Sequence, residues 1–321
     1  MAKDIDCIVC GSCVVDMLVR PVSLDQPLAK GRLFQVEPIE VTTGGIVSNA
    51  GIAMARLGMQ VAAFSYVGRD DWGALIRRRY QEAGIETSGL LTHPTGATST
   101  TAVLIDPSGE RSFAHCVGAP RELNGQVFLD HLSLFARSRM VLIGYYSLMP
   151  NLEIDLAAVL AEIQKTGCRT ALDAAGEGGD LQPLDRLLPH LDVYVPSLAE
   201  ATHQTGESDP ERVLRVYRSC GARGLLGVKL GADGALLSPQ PNELVRIPSV
   251  TPPGDVVDTT GAGDCFYAGL VTGLLREMSV EQAGQLAAAT GACCVTGLGA
   301  TSGLRDYETT ATLAGITNET P

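Results

Sequence analysis

The residues best placed to do chemistry are Asp258-Thr259-Thr260-Gly261-Ala262-Gly263-Asp264, followed by Cys265-Phe266-Tyr267-Ala268-Gly269-Leu270. Phe266, Leu270, Gly273 and Leu274 come after them at helical spacing, so Gly261-Ala262-Gly263 falls at a helix N-terminus. Free amides and the positive helix end meet there and favour a phosphate. Two glycines and an alanine leave the backbone uncovered, so a phosphate can approach it closely. Asp264 then lies in the first turn beside that phosphate. The helix end keeps its carboxylate ionised, and taking a proton from an attacking hydroxyl is work suited to it. On residue types alone, a turn and a helix with an acid in its first turn would account for the same segment.

Other chemistries lose support. No Gly-Lys dipeptide occurs, which removes a Walker A loop, and neither His-Arg-Asp nor Asp-Phe-Gly is present. There is no H-E-x-x-H and no G-x-S-x-G, and the five histidines are scattered. The chain has 321 residues, 45% hydrophobic and 19% charged, which supplies a full core and argues against extensive disorder. A net charge of −12 disfavours nucleic acid and anionic membrane surfaces as partners. No apolar run is long enough to span a membrane, and Met1-Ala2-Lys3-Asp4 lacks a signal-peptide layout. Nine cysteines, an odd number in a large chain, fit free thiols in a reduced, cytoplasmic protein. Cys7, Cys10 and Cys13 have the spacing that opens an iron–sulfur run, but the next position is Met17, and on a strand residues three apart face opposite sides.

The elements that must hold this segment alternate. Strands are expected at 4–9, 14–19, 60–67, 140–143, 169–173, 192–195, 224–230 and 234–238. Helices are expected at 48–57, 70–83, 152–166, 198–205, 210–220, 261–276 and 279–296. Such alternation implies a parallel sheet covered on both faces. Residues 33–41 alternate with a mixed face, 98–105 and 111–117 form a hairpin around Asp106-Pro107-Ser108-Gly109, 21–30 is a loop, and 318–321 is a loose tail.

The motif D-T-T-G-A-G-D with its helix resembles the signature of the ribokinase-like (PfkB) carbohydrate kinase family. Further matches occur in order: Gly44-Gly45-x-x-x-Asn49-x-Gly51-x-Ala53 with Arg56-Leu57-Gly58, then Val67-Gly68-Arg69-Asp70-Asp71-x-Gly73, then Val228-Lys229-Leu230-Gly231-x-x-Gly234. The resemblance spans roughly residues 5 to 305. It implies an α/β fold, a ribokinase-like three-layer sandwich with a central, mostly parallel sheet and a small β-sheet lid. Residues 1–321 would form a single kinase domain, with lid strands from about 12–20, 33–43 and 98–117.

The resemblance also implies roles. Asp264 would be the base, and the amides of Gly261, Ala262 and Gly263 the anion hole. Asp16, Gly44, Gly45 and Asn49 would hold sugar hydroxyls, residue types that suit such contacts. Lys229, Gly231 and Ser197 would contact the nucleotide. Glu200 would hold Mg2+ through water, and Asp258 and Thr260, with Ser302, a monovalent cation such as K+. Three positions depart from the family pattern. Ser197-Leu198-Ala199-Glu200 stands where N-x-x-E is usual, Asp173-Ala174-Ala175-Gly176-Glu177 keeps only the Asp of D-x-N-x-R, and Ile46 replaces a frequent Lys. The expected activity is ATP-dependent phosphoryl transfer to a primary hydroxyl of a small neutral sugar. The alternatives are a nucleoside kinase, with Phe34, Phe113 and Tyr145 available as a base shelf, and a non-catalytic sugar or nucleotide sensor. Sugar and ATP would be the ligands, and a homodimer through the lid the expected assembly.

Overall fold

A computed structural model describes residues 3–25, 31, 33–176 and 178–316. Residues 26–30 of the expected loop, Glu177 and the expected tail lie outside the described residues. The first half comprises β1 (Ile5–Gly11), β2 (Val14–Val19), β3 (Glu40–Gly44), α1 (Gly45–Arg56), β4 (Val61–Val67), α2 (Asp71–Glu82), β5 (Glu86–Thr92), β6 (Ser99–Ile105) and β7 (Arg111–Cys116). Next come α3 (Gly125–Asp130), α4 (Leu132–Ala136), β8 (Ser138–Gly144), α5 (Pro150–Glu153), α6 (Leu156–Lys165), β9 (Arg169–Asp173) and α7 (Leu181–Leu187). The remainder is β10 (Val193–Tyr194), α8 (Leu198–Thr205), α9 (Pro210–Ser219), β11 (Leu225–Lys229), β12 (Ala235–Ser238), β13 (Val245–Ile247), α10 (Ala262–Leu275), α11 (Val280–Cys294) and α12 (Tyr307–Leu313).

Nine strands form the large sheet in the order β13-β12-β11-β10-β9-β8-β1-β4-β5. From β11 through β5 every pairing is parallel, whereas β12 and β13 add antiparallel. Its central strands are almost wholly buried, as in SRMVLIG of β8, because helices cover both faces. Two apolar clusters result. One joins Cys7, Val9 and Cys13 to α1, α10 and α11; the other joins Ile8 and Cys10 to Phe128, Phe135 and α6. Cys7 and Cys10 therefore face opposite layers, and these thiols are free and buried.

Four strands form the small sheet, ordered β3-β2-β6-β7. The strand expected over 33–43 is a correction: only Glu40–Gly44 pairs, and Leu33 and Ile39 stay exposed. Its alternation offered no consistently apolar side to bury, and Pro38 has no amide for a ladder. The helix expected from 48 begins at Gly45, directly after β3. Sequence reading missed β5, β13, α3, α4, α7 and α12, which are short or show little periodicity.

α10 and α11 pack with almost no side chain between them. A Cβ on Gly269 would lie 2.7 Å from Ala287 Cα, and one on Gly273 2.6 Å from Ala283 Cα. That approach sets where the N-terminus of α10 lies. Gly273→Val should force the helices apart and cost about 1–3 kcal/mol, seen as a lowered melting temperature; an unchanged melting temperature would mean that the contact is yielding.

Candidate active site

Five neighbouring parallel strands end on one edge, where open α/β sheets bind ligands. Lys229 ends β11, Ser197 follows β10 and bridges to Lys229, Asp173 ends β9, Tyr145 follows β8 and Ser12 follows β1. The N-terminus of α10 faces these ends.

Gly261 caps α10 with φ 76°, a left-handed conformation. A Cβ there would sit 2.3 Å from Ala300 Cβ, so backbone and packing both require glycine. Gly263 differs. A Cβ there would meet only the end of Lys229, Nζ at 3.4 Å and Cε at 4.0 Å, ordinary contacts. The protein itself does not need a glycine at this position, which keeps space open at the helix end. Gly263 and Asp264 occupy first-turn positions whose amides lack intrahelical acceptors. The Ala262 amide donates to Thr259 O at 3.3 Å, so it is already partly engaged in the turn.

Asp264 is 5% exposed. Asn49 Nδ2 donates to its Oδ2 at 2.8 Å and Tyr145 Oη to the same oxygen at 2.7 Å, leaving Oδ1 outside both bonds. Burial raises the carboxyl above its ordinary value, while the Asn49 and Tyr145 bonds and the Lys229 charge pull the other way. Tyr145 achieves this from a left-handed backbone, φ 61°, an uncommon conformation for a bulky residue.

Lys229 is no solvated strand-end charge. Its Nζ lies 3.1 Å from Asp173 Oδ1, with side chains 12% and 2% exposed. Burial pushes Asp173 up to about 7, opposed by Lys229 and aided by Asp264 and Glu200. Burial pulls Lys229 down, but the charges of Asp173, Glu200 and Asp264 outweigh it and keep the ammonium protonated.

A cavity of about 290 Å³ separates the small sheet from α1 and α10, with Asp16, Asn49, Thr101, His115, Tyr145 and Gly261 in its wall. A Cβ on Gly44 would lie 2.1 Å from Asp16 Oδ2, so the carboxylate occupies the space that the glycine leaves. Gly45, φ 78°, would put a Cβ 2.5 Å from Ser12 O. Asn49 Oδ1 is buried with no protein partner, an acceptor open to a ligand hydroxyl. Ile46 turns away into the core against Gly11 and Gly144.

Ser197 and Glu200 form a capping box at α8: Ser197 N donates to Glu200 Oε2 at 2.6 Å, and Glu200 N to Ser197 Oγ at 3.3 Å. Gly231 opens a turn after β11 with nothing within 4 Å of a would-be Cβ. Asp258 does not fit the cation role expected of it. Arg111 of β7 pairs with its Oδ1 at 2.7 Å and also bonds Thr260 Oγ1. Sequence reading missed Tyr145 as a partner of Asp264 and the Asp173–Lys229 pair; no motif marks either, and only strand order brings them together.

A family model described as pfkB family carbohydrate kinase matches residues 4–306. The chain is similar to the ribokinase of Haemophilus influenzae, 29% identical over 83% of this chain and 85% of the relative. It is also similar to the 2-dehydro-3-deoxygluconokinase of Bacillus subtilis, 26% identical over 87% of this chain and 88% of the relative. Among solved structures, Arabidopsis thaliana ribokinase complexed with ribose and ATP has a TM-score of 0.84 at 23% identity, covering 99% of this chain and 100% of that one. The fold is the α/β ribokinase fold.

Gly261→Ala should lose roughly 1–3 kcal/mol of stability, whereas Gly263→Ala should melt no lower than the parent yet bind ATP more weakly; equal melting of the two variants would remove the distinction. Tyr145→Phe withdraws a donor from ionised Asp264, so the carboxyl rises further and the acid limb of the kcat/KM profile should move to higher pH. An unmoved limb would separate Tyr145 from the titration.

Proposed function

The chain belongs to the pfkB family of carbohydrate kinases, and we propose that it transfers the γ-phosphoryl group of ATP to a primary hydroxyl of a small neutral sugar. The observation that carries this reading is Asp264 in the first turn of α10, bonded through Oδ2 to Asn49 and Tyr145, which both line the cavity under the small sheet, with Oδ1 outside those bonds.

In this reading Asp16, the Gly44-Gly45 backbone and Asn49 Oδ1 orient the sugar hydroxyls. Asp264 Oδ1 accepts the proton of the attacking hydroxyl. The sugar oxygen bonds to phosphorus as the bond to the β-phosphate oxygen breaks, and ADP leaves. The amides of Gly261 and Gly263 stabilise the transferring group, with Ala262 contributing less because its amide is shared with Thr259 O. Lys229 Nζ, next to Gly263, adds a fixed positive charge. Lys229, Gly231 and Ser197 remain the nucleotide contacts in this reading, Ser197 acting through the cap of α8. Mg2+, when bound, neutralises phosphate charge. Glu200, whose Oε2 accepts the Ser197 amide in the cap, would hold the ion's water shell.

Substrate neutrality follows from where the charges go. Asp16 and Asp264 are acidic, the fixed cations near the cavity, Arg111 and Lys229, are paired with Asp258 and Asp173, and His115 in the cavity wall shares a hydrogen bond with Thr101 Oγ1. A buried second anion would lack a free partner, at a cost on the order of several kcal/mol. A nucleoside acceptor is the runner-up, because Phe113 and Tyr145 stand in the cavity wall. The exposed apolar residues Phe113 and Val117 are where a second copy would pack on the small sheet.

The test is a panel of neutral sugars, their acid and phosphate counterparts and nucleosides, with saturating Mg-ATP. A neutral pentose or hexose should give the highest kcat/KM, and Asp264→Asn should lower it about 10²-fold or more while ATP still binds. Preference for an acid or phosphate would overturn the neutrality, and near-parental turnover in Asp264→Asn would overturn the base.

A further inference from the structure

The loop expected to hold a monovalent cation is already filled from within the chain. Asp258 is 5% exposed. Its Oδ1 accepts the Thr260 amide at 2.7 Å and the Arg111 guanidinium at 2.7 Å, and its Oδ2 accepts the Gly299 amide at 2.7 Å. Thr260 is used twice: its Oγ1 accepts from Arg111, and its carbonyl accepts from Cys294 Sγ at 3.4 Å. The Ala300 carbonyl accepts from Cys294 Sγ at 3.2 Å and Cys265 Sγ at 3.4 Å. Ser302 Oγ donates to Leu298 O at 2.7 Å. A metal ion needs several oxygen lone pairs converging on one point. Here the Asp258, Thr260 and Ala300 oxygens already accept from donors, Ser302 Oγ is engaged with Leu298 O, and one donor is itself a fixed positive charge.

We propose that the Arg111 guanidinium is the resident cation of the 258–260 loop and replaces a monovalent metal ion there. Arg111 opens β7 opposite Ile105 of β6, so the tether runs from the small sheet, over the cavity, to the residue preceding Gly261. It therefore fixes the start of the anion cradle and the closure of the small sheet with one side chain. The Asp258 partner is almost out of water, which protects the pair from the salt screening that weakens exposed ion pairs. Burial pushes Asp258 up, but the Thr260 and Gly299 amides, with the Thr260 and Arg111 side chains, hold it below the ordinary carboxylate range.

This inference rests on the phosphoryl-transfer reading, so one arm of its test is independent of turnover. Melting temperature with an ATP analogue and kcat/KM are measured in K+, Na+, Cs+ and tetramethylammonium chlorides at matched ionic strength. The parent should give the same values in all four. Arg111→Ala should lose roughly 10-fold or more in kcat/KM, as for one charge-assisted hydrogen bond, and regain part of it with K+ or guanidinium but not tetramethylammonium. Arg111→Lys, which keeps the charge, should lose less. A K+-specific rise in the parent's melting temperature or kcat/KM overturns the proposal, as does an Arg111→Ala defect that no cation restores or an Arg111→Ala variant that behaves as the parent. Should no panel substrate be turned over, the phosphoryl-transfer reading fails, while the parent's melting series still decides whether the loop takes a metal ion.

Discussion

Asp264 is nearly sealed from water at the start of α10, and an ionised carboxylate loses most of its hydration there. Everything near it offsets that loss. Asn49 arrives from α1, Tyr145 from the end of β8 and Lys229 from the end of β11, while α10 contributes its own positive end. These groups are far apart in the chain and meet only because parallel strands end on one edge. The arrangement also limits itself. Four donors or charges favour the anion, yet burial still keeps the carboxyl above its ordinary value, which leaves a group able to accept a proton rather than one locked as a spectator.

The small sheet is bound to the same edge through a junction with no linker. β3 ends at Gly44 and α1 begins at Gly45. Gly44 makes room for Asp16 from the neighbouring strand, and five residues on, Asn49 reaches Asp264. Little more than one turn of α1 thus links the glycine pair beside Asp16 to the residue that bonds Asp264. Arg111 closes the opposite rim, so the sheet is fastened both where the sugar would be held and where the phosphate would be cradled. A sheet of four short strands has little core of its own: Leu18, Val103 and Ile105 are its buried cluster. Its position depends on these polar fastenings to a degree that the large sheet's does not.

How much of this could be read from residues alone differs by kind of signal. D-T-T-G-A-G-D placed the helix start and its first-turn acid, because glycines and a following apolar period are local facts. The parallel sheet was legible from strand–helix alternation, and Cys7 and Cys10 on opposite faces from strand geometry. The segment 33–39 misled because alternation predicts a strand only when one side has something to bury. Tyr145, read only as part of a base shelf, gave no signal of its bond to Asp264, since that bond depends on an uncommon backbone conformation at a strand end. Asp173 was visible as the remnant of a longer pattern, but its cation, Lys229, comes from two strands away across β10. Pairings made through strand order leave no spacing to detect. The cation loop misled for the opposite reason: Asp258 and Thr260 matched, but the group that fills the loop belongs to another sheet.

The two cations near the cradle explain how a chain of net charge −12 can be shaped for a polyanion. Lys229 is held by Asp173 and Arg111 by Asp258, so each acid–base pair is close to neutral before any ligand arrives. Pairing removes net attraction, but it fixes direction. An unpaired lysine at a strand end would spread over many rotamers and have to be ordered when phosphate binds. Held at 3.1 Å by Asp173, the ammonium already lies at the space that Gly263 leaves open. Charge aimed in advance needs no reorganisation during reaction, which is where electrostatic stabilisation is most effective. What the pairs do not provide is surplus positive charge for a second anion, and on the proposed function the same two acids that orient the cradle would filter the acceptor.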